Sequence, residues 1–181
     1  MAQTLSWEKD VVTQPRRKPA PASKNARQPG STNEHFRTCL TGDWEVVRFV
    51  DYLDDGRVEY PLGEHPVGIL SLDASGRMSV QVMRTPHATF ASGDDFIGTP
   101  DEYIAAYRGY TAYFGTWQPD AANGAMLIHV EGALNPELVG ASYSRAVTVQ
   151  GEELHATPEP QTFNGVRRRY ERVFRRMRPV A

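Results

Sequence analysis

Among 181 residues there is one cysteine, Cys39, which excludes an intramolecular disulfide and most zinc-finger schemes. No run of about 18 apolar residues occurs, so no membrane-spanning helix is expected. Met1 to Asp10 lacks the continuous apolar stretch of a secretory signal. The five histidines, His35, His65, His87, His129 and His155, form no H-x-H, H-E-x-x-H or facial-triad spacing, so no metal site is expected. No glycine-rich phosphate loop stands between a strand and a helix, and no serine nucleophile elbow is present. The expectation is a cytoplasmic protein that uses neither metal nor cofactor.

What is present is ordinary globular composition, 40% hydrophobic and 23% charged, with room for one domain and a tail. The net charge of −2 conceals an asymmetry. Residues 1–37 hold seven basic and three acidic side chains, and residues 167–181 hold seven basic and one acidic. The body between them is strongly acidic, which opposes any attraction of the basic ends to nucleic acid. No recognition helix or paired aromatic platform accompanies the charge, so neither nucleic acid nor a membrane is expected as a partner. A small-molecule ligand is, and a homodimer is left open.

Residues 1–37 read as a disordered basic tail, whose segment 13–30 sets Pro15, Pro19, Pro21 and Pro29 among cations with almost nothing large and apolar. Such a tail is either a solvated leader or a flap that closes over an acidic mouth, anchored by Leu5 or Trp7. From residue 38 to 181 the pattern is one domain. Short alternating stretches separated by turn signals argue for an all-β meander. Asp43–Leu53 and Arg57–Tyr60 flank Asp54-Asp55-Gly56, and Val67–Asp73 and Arg77–Met83 flank Ala74-Ser75-Gly76. Ala112–Gln118 and Ala125–Ala133 flank Asn123-Gly124, Ser142–Gln150 and Glu153–Thr157 flank Gly151, and Val166–Arg175 closes the series.

One helix interrupts these eight or nine strands. Thr99-Pro100-Asp101-Glu102 supplies an N-cap, a proline in the first turn and a capping box. The helix should run to about Gly109, with Tyr103, Tyr107 and Tyr110 on one aromatic face. A sheet of this many strands joined by tight turns removes its edges by closing. The fold expected is a closed, antiparallel, up-and-down β-barrel with one short helix over one end and an interior wide enough for one small ligand.

Gly42-Asp43-Trp44 is similar to the G-x-W that opens lipocalin barrels. More specifically, the body resembles the bacterial and fungal lipocalin-like domain family. The matching stretches are Tyr60-Pro61-Leu62-Gly63, the run from Gly76 to Arg84, Phe90-Ala91-Ser92-Gly93-Asp94, Tyr113-Phe114-Gly115-Thr116, His129-Val130-Glu131-Gly132 and Val139-Gly140. The resemblance covers roughly residues 41–174 and implies a ligand-holding barrel, without one agreed activity. It also implies that Trp44 lies at the closed end beneath an arginine from the last strand, for which Arg172 is the choice.

His129 and Glu131 stand two apart on a predicted strand and share a face. If that face is interior, Glu131 and the imidazole form an acid–base pair for enolisation, isomerisation or cyclisation, with Tyr113 assisting; if it is exterior, both need no explanation. Gln81 is a ligand hydrogen-bonding group or a wet surface residue, depending on the face chosen for its strand. Arg84, at the rim, suits a carboxylate, phenolate or enolate oxygen, or a surface ion pair. Arg145 is mid-strand; facing inward it needs a carboxylate, and Glu131 is the candidate. Tyr103, Tyr107, Tyr110, Tyr113 and Phe114 are expected to plug the barrel end, a minority of them lining the cavity. The function expected is binding of a small, largely apolar organic molecule, by a cofactor-independent isomerase or cyclase of secondary metabolism or by a carrier that does no chemistry.

Overall fold

The computed structural model describes residues 29–178. The proposed lid segment with Leu5 and Trp7 lies outside them. Ten strands form one antiparallel sheet: β1 (Gly42–Leu53), β2 (Val58–Glu59), β3 (Val67–Leu72), β4 (Arg77–Met83), β5 (Tyr110–Asp120), β6 (Ala125–Ala133), β7 (Ser142–Gln150), β8 (Glu153–Thr157), β9 (Gln161–Phe163) and β10 (Val166–Arg176). Eight of them, β1-β3-β4-β5-β6-β7-β8-β10, close into a barrel when β10 returns to pair with β1. β2 extends the far half of β1, and β9 the first half of β10. The closed barrel read from the turn spacing is therefore the fold, and closure leaves those eight strands with no free edge.

Among the described residues two α-helices accompany the barrel: α1 (Pro29–Leu40) and α2 (Pro100–Arg108). α2 has the expected capping box, in which Glu102 N–H donates to Thr99 Oγ1 and the Glu102 carboxylate accepts from Thr99 N–H. It does not plug the barrel: none of its residues is buried, and Tyr103 and Tyr107 remain exposed. The element that closes an end is α1, nine residues of which fall in the stretch expected to be disordered. Its Asn33, Arg37 and Leu40 repeat at helical spacing along one face. Asn33 Oδ1 accepts from Ala121 N–H, Arg37 lies 4.9 Å over the Trp117 ring and donates to Ala74 O, and Leu40 is fully buried.

At that end β1 and β10 pair Trp44 with Arg176 and Phe49 with Arg172. The arginine over Trp44 is consequently Arg176, 4.0 Å from the ring, and not Arg172, which stacks 3.6 Å over Phe49. The two arginines share a strand face four residues apart, so only the register separates them. Arg176 donates to Cys39 O and Thr41 O, and Trp44 Nε1 donates to Leu40 O at 2.9 Å, which ties the C-terminus of α1 to the barrel floor. Gly42 has φ +133, and a Cβ there would lie 3.0 Å from the Arg176 guanidinium, which gives the first residue of the G-x-W a physical reason.

Two irregularities set which side chains face inward. In β1 the register with β10 slips between Val46 and Arg48, so Trp44 and Val46 face inward before the bulge and Phe49 and Asp51 after it. Between β5 and β6 the partners jump from Phe114–Gly132 to Gly115–Val130, which leaves Glu131 as the extra residue. A Cβ on Gly115 would lie 2.0 Å from the His129 carbonyl oxygen. Gly115→Ala is therefore expected to lose about 1–3 kcal/mol as the bulge is pried open, seen as a lower urea midpoint with an unchanged slope. An unaltered midpoint would mean the strands can separate there at no cost.

Candidate ligand-binding cavity

The half of the barrel next to α1 is solid. Leu40, Trp44, Leu72, Trp117, Val130 and Leu154 are all at most 1% exposed. Above them opens a cavity of about 810 Å³, within the range of small-molecule sites. Its floor is apolar: Leu70, Met78, Val80, Met126 and Phe174. Its walls carry Tyr113, Tyr143, Tyr170, Arg145 and Arg172, and its mouth carries Glu137 and Glu159, both exposed.

Alternation on each strand explains this lining. On β10, residues 168, 170, 172, 174 and 176 face one way, which brings Arg168, Tyr170 and Arg172 inward with Phe174. Three polar side chains on an inward face require compensation, and β1 supplies it through Asp51, which is 3% exposed. Asp51 Oδ1 accepts from Arg172 Nη2 at 2.6 Å and Oδ2 from Arg168 Nη1 at 3.0 Å, while Glu59 takes Arg168 Nη2 at 3.0 Å. Arg172 also donates to Val50 O and Glu171 O. Burial pushes the Arg172 guanidinium down from its ordinary value, and the Asp51 hydrogen bond opposes this. Burial pushes the phenols of Tyr113 and Tyr170 up, so both remain protonated donors.

The acid–base pair does not face the cavity. Ile128 and Val130, 3% and 0% exposed, occupy the inward positions of β6, and His129 and Glu131 project outward. His129 Nδ1 lies 2.9 Å from Ser142 Oγ on the neighbouring strand, and Glu131 accepts from Arg77 Nη1 at 2.6 Å. The apolar pair was the better filling for a solid core, and it took the interior. Gln81 is also outward, accepting from Tyr110 O–H at 3.2 Å, while Met78, Val80 and Val82 point in. Arg84 is exposed and donates to Pro61 O, a brace between loops rather than a rim ligand. Tyr107 and Tyr110 do not line the cavity.

Of the residues expected at the site, Tyr113 and Arg145 are the two that the barrel brings together. Arg145 sits opposite the inward Met126 in register and lies 5.0 Å over the Tyr143 ring. Its expected partner, Glu131, is on the outside with Arg77. Asp51, Tyr143, Tyr170 and the cavity role of Arg172 were not foreseen. A signal existed in Asp51, a carboxylate between Phe49 and Leu53 on what is otherwise an apolar strand face.

A family profile describing a lipocalin-like domain matches residues 41–175. The chain belongs to the lipocalin-like domain family. No curated protein and no solved structure matches it. The matched segment begins one residue before β1 and ends in β10, so the lipocalin-like unit is the closed barrel, and α1 precedes it. Among the described residues of this lipocalin-like chain, no group of three or more His, Cys, Asp or Glu side chains is placed to hold a metal ion, and no helix is long and apolar enough to cross a membrane.

Proposed function

We propose that the barrel holds one small, largely apolar organic molecule in its open half. The supporting observation is the 810 Å³ cavity, closed below by packed side chains and lined by an apolar floor beneath polar walls. Apolar surface favours transfer of a hydrophobic body from water, and a few placed polar groups orient it. Holding is better supported than chemistry, because the histidine and glutamate suited to proton transfer lie outside the barrel.

A second reading, isomerisation or cyclisation in secondary metabolism, draws on Arg145 and Tyr113. A guanidinium and a phenol on one cavity wall are suited to stabilising an enolate oxygen as it develops. The base would then be a group of the substrate itself, water, or one of the mouth carboxylates Glu137 and Glu159.

The test is native mass spectrometry of the protein purified from its own host, followed by titration with the neutral probe N-phenyl-1-naphthylamine. An adduct of one discrete mass, or saturable probe fluorescence at one site per chain, supports a ligand-holding barrel. An empty protein that leaves the probe dark sinks it. Conversion of the copurified compound into a new mass would bring the second reading forward.

A further inference from the structure

Among the described residues, one cation of the cavity has no ion-pair partner. Arg168 and Arg172 are neutralised by Asp51 and Glu59 at 2.6–3.0 Å. Arg145, on β7 with only β8 between it and β10, has no ion pair and no hydrogen bond among the described residues; its contact is the face of the Tyr143 ring at 5.0 Å. It is not a surface arginine that swung inward. The β6–β7 register places it opposite buried Met126, between inward Tyr143 and buried Val147 on its own strand. The acidic residues of the same cavity, Glu137 and Glu159, are exposed at the mouth, where water and salt screen them from the interior. A half-buried guanidinium without a countercharge relies on water for its partners, and an oxyanion brought by a ligand would satisfy it with a charge-assisted, two-pronged hydrogen bond.

We propose that the ligand is an amphipathic organic anion: an apolar body on the floor formed by Leu70, Met78, Val80 and Met126, with a single oxyanion, a carboxylate or ionised enol, received by Arg145. Tyr113 and Tyr143 line the same cavity. This deepens the reading of the cavity as a ligand site and rests on it. Neutral molecules of the same shape would fill the floor but leave Arg145 unpaired, so the site selects by charge within a set of similar apolar bodies.

The experiment titrates the whole chain at pH 7.5 with fluorescent cis-parinaric acid and, separately, with its methyl ester. The acid should bind at least about tenfold tighter than the ester, the scale of a charge-assisted hydrogen bond. Arg145→Gln should remove that preference while leaving ester affinity nearly unchanged, which also shows that the variant is folded. Arg145→Lys should restore part of it, and Arg175→Gln, an exposed outer arginine, should change neither. Equal binding of acid and ester by the unaltered protein overturns the anion assignment and leaves the cavity reading standing. Failure of both probes to bind overturns the two together. A preference that survives Arg145→Gln assigns the anion to another group and also overturns the proposal.

Discussion

Asp51→Ala is expected to destabilise the fold by about 3–5 kcal/mol, the scale for removing one partner of a buried ion pair. Asp51 is the one buried charged residue among those described, and both of its carboxylate oxygens are engaged. Without it, Arg172, whose side chain is 11% exposed, keeps two carbonyl oxygens but loses its countercharge. The loss is a large part of the roughly 5–15 kcal/mol that holds a domain together. It should appear in urea denaturation as a lower midpoint. Asp51→Ala combined with Arg172→Met should recover much of the loss, because the charge and its partner leave together. A loss below about 1 kcal/mol in the single variant would show that cavity water solvates Arg172 well enough to replace the carboxylate.

The second large effect is expected at Trp44. Trp44→Ala removes a fully buried indole, at a cost of about 3–5 kcal/mol. It also orphans Leu40 O and takes away the ring beneath Arg176. Because Arg176 and Trp44 together hold the last carbonyls of α1, the variant should lose amide-exchange protection in α1 before it loses protection in β5 and β6. Trp44→Phe keeps most of the volume and loses the N–H donor, so a cost near 1–2 kcal/mol is expected, with α1 still docked. Equal protection of α1 in all three proteins would mean that Arg37 and Asn33 alone anchor the helix.

These two residues also show what a sequence of this kind discloses. Trp44 was recognisable because G-x-W is local: one glycine, one indole and the start of a strand. The turns at Asp55-Gly56, Ser75-Gly76, Asn123-Gly124 and Gly151 were legible for the same reason, and they bracket eight of the ten strands. Which arginine covers Trp44 was not legible, since Arg172 and Arg176 differ only by a register that long-range pairing decides. The interior faces were lost in the same way. β6 offers Ile128 and Val130 on one face and His129 and Glu131 on the other, with an exposed Leu127 blurring the contrast. The bulge at Glu131 then breaks the alternation that any count from the strand end relies on. α1 escaped notice because Pro29-Gly30-Ser31-Thr32-Asn33 is poor helix sequence. Its stability comes from contacts with Trp117, Ala121 and the barrel floor. Arg145 was legible as an anomaly, a cation in mid-strand, but the absence of a partner could be seen only once Glu131 was placed outside.

The central claim is that an apolar molecule enters the barrel rather than resting on its surface, and the methionines report on this directly. Met78 and Met126 line the cavity floor, whereas Met83 lies outside the cavity lining and Met177 follows the last strand. With methyl-labelled methionine, titration of methyl parinarate should shift the Met78 and Met126 methyl resonances together and leave Met83 and Met177 in place. Shifts confined to Met83 or Met177, or no shift at all, would contradict a ligand-holding interior.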